Sequence, residues 1–159
     1  MILTKKLGKE SETLELIEKA KTLGIFRIVE LSRECFERQR CRGKTDKGEE
    51  VIINLKGVPI SDSDVFQADN GYIILLKEKE EKVIEFNIND FTSFVLGYII
   101  GNYHMRVMVN ENKVYIPAEL GEDYLTQKFK NFNPKITKIK FNPNVDMPVQ
   151  SVVVDFANT

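Results

Sequence analysis

The chain of 159 residues contains a single histidine, His104, and this count limits its chemistry more than any other feature. Mechanisms that need two imidazoles within one chain are excluded. The sequence also lacks a Walker-type phosphate loop, a dinucleotide fingerprint, an H-E-x-x-H zinc motif and a G-x-S-x-G nucleophile elbow. Acidic residues are plentiful, but a single sequence does not show which two face each other across a cleft. We therefore predict no catalytic residue. On spacing alone, a lone histidine is most often an ordinary surface residue.

The two cysteines, Cys35 and Cys41, are the other candidates for metal or redox chemistry. Their C-x5-C spacing matches neither a zinc knuckle nor a thioredoxin-type motif. Two cysteines are also too few for a disulfide framework. We expect two reduced thiols, packed as small hydrophobic side chains.

Four basic residues alternate along one segment of the first half: Arg38, Arg40, Arg42 and Lys44. If the segment is a strand, all four project from one face. The favoured interpretation is a charged outer face that discourages edge-to-edge aggregation. The alternative is contact with phosphates or with an acidic protein partner. No aromatic residue is interleaved with the stripe and the net charge is -1, so protein contact ranks ahead of RNA.

The composition predicts a folded protein, with 42% hydrophobic and 30% charged residues. No window is long and apolar enough to span a membrane, and the N-terminus lacks the apolar stretch of a signal peptide, so we expect a cytoplasmic protein. Six charged residues in a row divide the chain at 77–82. We expect a mostly β domain over residues 1–76, a linker over 77–82, a second domain over 83–142, and a tail over 143–159 that lacks histidine.

Hydrophobic patterns place mostly strands in the first half of the chain. Residues 25–29 have strand composition, and Val51, Ile53 and Leu55 alternate with other residues. A hairpin is predicted over 65–76 around an Asp-Asn-Gly turn. Residues 11–23 could form a helix, although few apolar residues support its hydrophobic face.

The second half has the order β-α-β-β-α-β, which is typical of the ferredoxin-like fold. A strand at 83–86 precedes a helix capped by Asn89 or Asp90 and ended by a left-handed Gly101. The predicted buried face of this helix comprises Phe91, Phe94, Val95, Tyr98 and Ile99.

The remaining elements of this half complete the predicted α+β fold class. His104 is expected to lead into a strand over 105–109, which pairs with a strand over 113–116. A second helix is predicted over 118–129, with Pro117 at its start. The last strand is predicted over 135–141.

The run Gly101-Asn102-Tyr103-His104 resembles the G-N-x-H motif of the urease accessory nickel metallochaperones (UreE), whose histidine binds nickel at a dimer interface. The resemblance extends over most of residues 1–140, because further similar pieces occur in the order of that family. These pieces are Leu3–Gly8, Glu37–Arg42, Thr45–Val51, Val114–Pro117 and Asp123–Leu125.

The resemblance implies that His104 is the metal ligand, that nickel(II) is the cargo, and that a homodimer holds the ion between its subunits. It also implies a partner- or peptide-binding N-terminal domain and a ferredoxin-like metal-binding domain. The implied partners are the urease apoprotein and other urease accessory proteins, including the accessory GTPase. Zinc or copper could bind in vitro, since imidazole suits both ions. Neither nucleic acid nor a membrane is an expected partner.

The sequence departs from the family pattern at several positions. Many members have Arg where this chain has Tyr103 and Pro where it has Arg106, and Asp62-Ser63-Asp64 replaces the usual Asp-Gly-Asp. The final residues contain no histidine-rich tail, so we expect one shared site rather than storage of several ions. The alternative is a protein-interaction or chaperone-like module without metal delivery. RNA binding through the Arg38 stripe is the weaker third possibility.

Overall fold

The computed structural model describes residues 1–145. The chain divides into two compact units, Met1–Glu80 and Glu81–Thr159. Both contain helices and strands, which confirms the α+β class. The division falls within the charged run 77–82, in which residues 77–78 and 81–82 belong to strands. The predicted tail over 143–159 lies outside the described residues from position 146 onward. No helix within residues 1–145 is long and apolar enough to cross a membrane.

A four-stranded sheet and a separate hairpin form the first unit. The sheet has the order β1-β5-β6-β2, in which β2 runs parallel to β6 and the other neighbours are antiparallel. The hairpin joins β3 and β4. The elements are β1 (Leu3–Lys9), α1 (Leu14–Thr22), β2 (Phe26–Leu31), α2 (Arg33–Arg38), β3 (Cys41–Lys44), β4 (Glu50–Ile53), β5 (Asp64–Ala68) and β6 (Ile73–Glu78).

The β3–β4 hairpin packs against β2 through a glycine. A Cβ atom on Gly43 would lie 2.8 Å from side-chain atoms of both Val29 and Leu31. A larger residue would therefore push the hairpin away from the core that it shares with the sheet. Val51 and Ile53 of β4 belong to the same buried cluster.

The second unit has the element order β-α-β-β-α-β. Its sheet is antiparallel throughout, with the strand order β10-β7-β9-β8. The core contains Ile84 and Phe86 of the central strand, together with Leu96, Ile100, Leu125 and Phe129 of the helical segments. The elements are β7 (Glu81–Asn87), α3 (Asp90–Asn102), β8 (Met108–Asn110), β9 (Lys113–Pro117), α4 (Glu122–Lys128) and β10 (Lys135–Ile139).

The largest differences from the predicted bounds in this unit concern three elements. The helix predicted over 118–129 begins only at Glu122, because a turn closed by the Gly121 N–H on the Ala118 carbonyl precedes it. Pro117 is accordingly the last residue of β9. The strand predicted over 105–109 is displaced to β8, and the last strand ends at Ile139.

The four basic residues do not share one strand, because the first part of their segment is helical. Arg38 ends α2, and Gln39 then adopts a left-handed φ of 59°. The Gln39 side-chain amide supports this turn: it donates to the Ile60 carbonyl at 3.0 Å and accepts from the Ile60 N–H at 2.6 Å. Of the four basic residues, only Arg42 and Lys44 lie on β3.

The prediction of two reduced thiols is wrong, and the same turn explains why. Cys35 and Cys41 form a disulfide, with their Cα atoms 5.5 Å apart. The left-handed Gln39 reverses the chain between α2 and β3, so two cysteines that are six positions apart face each other. The disulfide joins the helix to the strand that carries Arg42.

A buried carboxylate connects β1 to the start of β5. Asp64 is fully buried, and its oxygens lie 2.7 Å from the amino groups of both Lys6 and Lys9. The Ser61 N–H donates to it at 2.8 Å. Burial by itself raises the pKa of Asp64, but the hydrogen bonds from Lys6, Lys9 and Ser61 outweigh burial and lower the pKa below its usual 3.8.

We predict that Asp64→Asn lowers the free energy of unfolding by about 2 kcal/mol at pH 7, because two lysines lose their anionic partner. A carboxylate with a lowered folded-state pKa contributes stability above its unfolded-state pKa, and loses that contribution as the pH falls through the folded-state value. The difference between wild type and variant should therefore shrink below about pH 4. Urea unfolding at pH 7 and pH 3 measures it. A difference that is the same at both values would contradict this role of the carboxylate.

Candidate functional site

Helix α3 begins at the asparagine that the sequence indicated. The Thr92 N–H donates to the Asn89 side-chain oxygen at 3.2 Å, so Asn89 is the N-cap. This cap satisfies one of the backbone donors that an α-helix leaves open at its start. The helix then runs for 13 residues toward the G-N-x-H motif.

The buried face of α3 is not the predicted one. Leu96 and Ile100 pack in the core and are 3% exposed. Phe91, Phe94 and Tyr98 are 80%, 78% and 66% exposed. The helix is apolar on both sides, so the periodicity did not determine which side the sheet would cover. An aromatic face on α3, defined by Phe91, Phe94 and Tyr98, is left uncovered within the described chain.

The end of α3 determines where His104 lies. Gly101 is helical rather than left-handed, and the helix continues to Asn102. The Tyr103 N–H donates to the Ile99 and Ile100 carbonyls at 3.3 and 3.2 Å. His104 itself adopts the left-handed conformation, with φ 52°, and its N–H donates to the Gly101 carbonyl at 3.1 Å. His104 is therefore an exposed turn residue, not the start of a strand.

A lysine of α4 holds the residue that precedes His104. The Lys128 amino group lies 4.3 Å from the centre of the Tyr103 ring and 5.6 Å from that of Tyr124. The pKa of Lys128 is raised, mainly by a hydrogen bond with Tyr103 and further by a hydrogen bond with Tyr124. The cluster ties the end of α3 to α4. This contact cannot be read from the sequence, since nothing in the spacing relates Lys128 to Tyr103.

An apolar cleft of about 320 Å³ lies beside the end of α3. Gly97 and Gly101 form part of its wall, together with Met105, Val107 and Val145. A Cβ atom on either glycine would meet no atom within 4 Å, so the helix backbone is open to close approach there. The cleft and the aromatic face belong to the same helix, and His104 lies two residues beyond its last residue, Asn102.

The donor set at His104 is small. Among residues 1–145, no group of three or more His, Cys, Asp or Glu residues could hold a metal ion. One chain therefore offers one exposed imidazole at this place. A complete coordination shell would need ligands from a second molecule or from solvent.

Comparison with known proteins found similarity to urease accessory proteins, although no family model matches the chain. The UreE protein of Aliarcobacter butzleri is 25% identical over 134 residues, which cover 82% of this chain and 90% of that protein. The UreE of Edwardsiella ictaluri is 27% identical over 50% of this chain, and that of Yersinia mollaretii is 25% identical over 58%. The resemblance to the UreE family is confirmed. All three relatives are named as accessory proteins of urease and not as urease itself, which agrees with the prediction of no catalytic residue. The matched regions cover only 41% and 46% of the last two relatives.

The left-handed conformation at position 104 predicts which substitutions are tolerated there. Asparagine adopts positive φ readily, whereas a β-branched residue does not. We expect His104→Asn to change the free energy of unfolding by less than about 0.5 kcal/mol, and His104→Val to lower it by about 1–2 kcal/mol. Urea unfolding without metal measures both variants. Equal stabilities would show that the turn has another conformation.

Proposed function

We propose that this chain is a nickel-binding metallochaperone that delivers nickel to apo-urease while the urease active site is assembled. The ion is held between the two subunits of a homodimer, and His104 is the metal ligand. The observation that carries the proposal is an exposed His104 at the end of a helix whose aromatic face is uncovered, in a chain similar to UreE proteins.

A single imidazole per chain is compatible with this function if the interface is two-fold. A two-fold axis presents the same surface twice, so two copies of His104 near the axis can coordinate one ion. Imidazole suits nickel, copper and zinc, and copper binds most tightly in the usual divalent order. Selection of nickel then depends on geometry and on the delivering and receiving partners. A shell with few protein ligands also favours release of the cargo.

The uncovered side of α3 supports the homodimer. The aromatic face supplies Phe91, Phe94 and Tyr98, while the apolar cleft is walled by Gly97 and Gly101. In a symmetric contact, an aromatic ring of one copy could fill the cleft of the other, as interface anchors commonly do. The glycines allow the two helices to approach closely next to His104.

The remaining assignments follow from the same proposal. The strand order β10-β7-β9-β8 and the order of elements support a ferredoxin-like metal-binding domain over 83–142. The unit over 1–76 would bind partners or peptides, with 77–82 as the connection. The partners are the urease apoprotein and other accessory proteins, including the accessory GTPase, in the cytoplasm. The alternative, a protein-interaction module without metal delivery, is favoured by the absence of a three-donor group within residues 1–145.

Calorimetric titration with nickel tests the metal site. We expect about one tight nickel ion per dimer, and a loss of affinity of more than about 100-fold in His104→Asn, which removes the imidazole but tolerates the turn. Glu111→Asn is the matched control, because Glu111 is also exposed and left-handed, with φ 53°. This control should bind nickel like wild type. Unchanged nickel binding by His104→Asn would overturn the site, and several tight ions per chain would reveal other ligands.

The dimer interface has a separate test. Tyr98→Glu places a charge at the end of the aromatic face that lies nearest His104, so we expect the dimer dissociation constant to rise at least about 100-fold. Leu23→Glu is the control, since Leu23 is 71% exposed but lies in the first unit. Light scattering over a concentration series measures molar mass. His104→Asn should remain dimeric without metal, because apolar contacts supply the association. A dimer unaffected by Tyr98→Glu would place the interface elsewhere.

A further inference from the structure

A cleft of about 750 Å³ in the first unit has no role in the proposed metal site. The cleft is lined by residues of β2, α2 and β3, by the residues that directly follow these elements, and by Lys79. The Cys35–Cys41 disulfide joins two of these elements, so α2 and β3 are held at a fixed separation.

Four of the five basic side chains that line the cleft lack anionic partners within residues 1–145. Arg38 is paired with Glu34 at 2.6 Å. The exposed side chains of Arg40, Arg42, Lys44 and Lys79 take part in none of the hydrogen bonds or ion pairs of the described chain. The acidic residues of the lining are Glu30, Glu34 and Asp46, so the cations are in excess. A ligand with negative charges fits this lining.

An unpaired strand edge lies along the same cleft. The Thr45 N–H donates to the Glu49 carbonyl at 2.9 Å. Hydrogen bonding alternates along an antiparallel strand, so Gly43 and Cys41 also direct their backbone groups toward β4. The backbone N–H and C=O of Arg42 therefore point to the opposite edge. There β3 meets β2 only next to Thr45, where the Asp46 N–H donates to the Ile28 carbonyl at 2.8 Å. Beyond this junction the two strands belong to separate sheets.

We propose that this cleft binds an acidic peptide segment of a partner protein in extended conformation. The segment adds to the unpaired edge of β3 as a strand, through the backbone of Arg42, and its carboxylates contact Arg40 and Arg42. The proposal deepens the partner-binding role proposed for the first unit and rests on it, but it does not depend on nickel.

The lining favours a peptide over RNA. None of the residues around the cleft is aromatic, so bases would find no side chain on which to stack. Three acidic residues interrupt the basic lining, so its cations do not form the continuous track that a phosphate backbone would follow. A strand edge offers alternating backbone donors and acceptors, which an extended peptide can pair but a nucleic acid backbone cannot.

Fluorescence anisotropy with a labelled octapeptide of alternating Glu and Val tests the proposal on the full chain at low salt. Wild type should bind this probe, and Arg40→Glu/Arg42→Glu should weaken binding at least about tenfold. Lys47→Glu/Lys56→Glu is the matched control: it changes the net charge equally at two exposed residues outside the cleft, so its affinity should stay within about twofold. A probe with N-methylated backbone amides should bind at least about tenfold more weakly, because it cannot pair with a strand edge.

Any of the following outcomes would overturn the proposal. No binding of the peptide to wild type, or equal losses in both double variants, would remove the cleft as the site. An unchanged affinity for the N-methylated probe would refute strand addition, and binding of an oligouridine through Arg40 and Arg42 without peptide binding would assign the cleft to RNA. Circular dichroism confirms that the variants fold. Nickel titration of Arg40→Glu/Arg42→Glu separates the proposals, because loss of peptide binding with normal nickel binding affects only the first unit.

Discussion

Helix α3 carries more apolar surface than the sheet beneath it can cover, and the candidate metal site depends on this excess. Leu96 and Ile100 fill the core, while Phe91, Phe94 and Tyr98 are exposed. At about 150–250 Å² per aromatic side chain, two copies expose roughly 900 Å² on these residues. Removal of apolar surface from water is the main driving force of most protein association. A second copy of the chain is therefore a physically reasonable cover for this face.

The same helix determines where the imidazoles would meet. Gly97 and Gly101 leave the backbone open near its C-terminal end, whereas Phe91 and Phe94 are bulky and lie toward its start. In the proposed dimer, the closest approach of two copies would therefore fall near Gly101, three residues before His104. The left-handed turn that follows, supported on one side by the Tyr103–Lys128 contact, leaves the imidazole exposed beside that point.

The sequence predicted most elements but not which faces they bury or how the chain turns between them. Periodicity identifies α3 and its cap at Asn89, yet it cannot choose between two apolar sides, because the choice depends on which side the sheet contacts. Glycine favours a left-handed cap, but here the helix passes Gly101 and His104 adopts that conformation. The disulfide and the helical Arg38 were missed for one reason: the turn at Gln39 depends on Ile60, which is distant in sequence.

The two proposed sites rest on different physics, and ionic strength separates them. The α3 contact would bury apolar surface, whose contribution salt does not screen. The exposed cations Arg40 and Arg42 act through charges, and at about 1 M salt the screening length falls to about 3 Å. High salt should therefore suppress the attraction of an acidic segment to the first unit while leaving association through α3 intact. In the proposed function, capture of a partner and retention of the ion would therefore not have to weaken together.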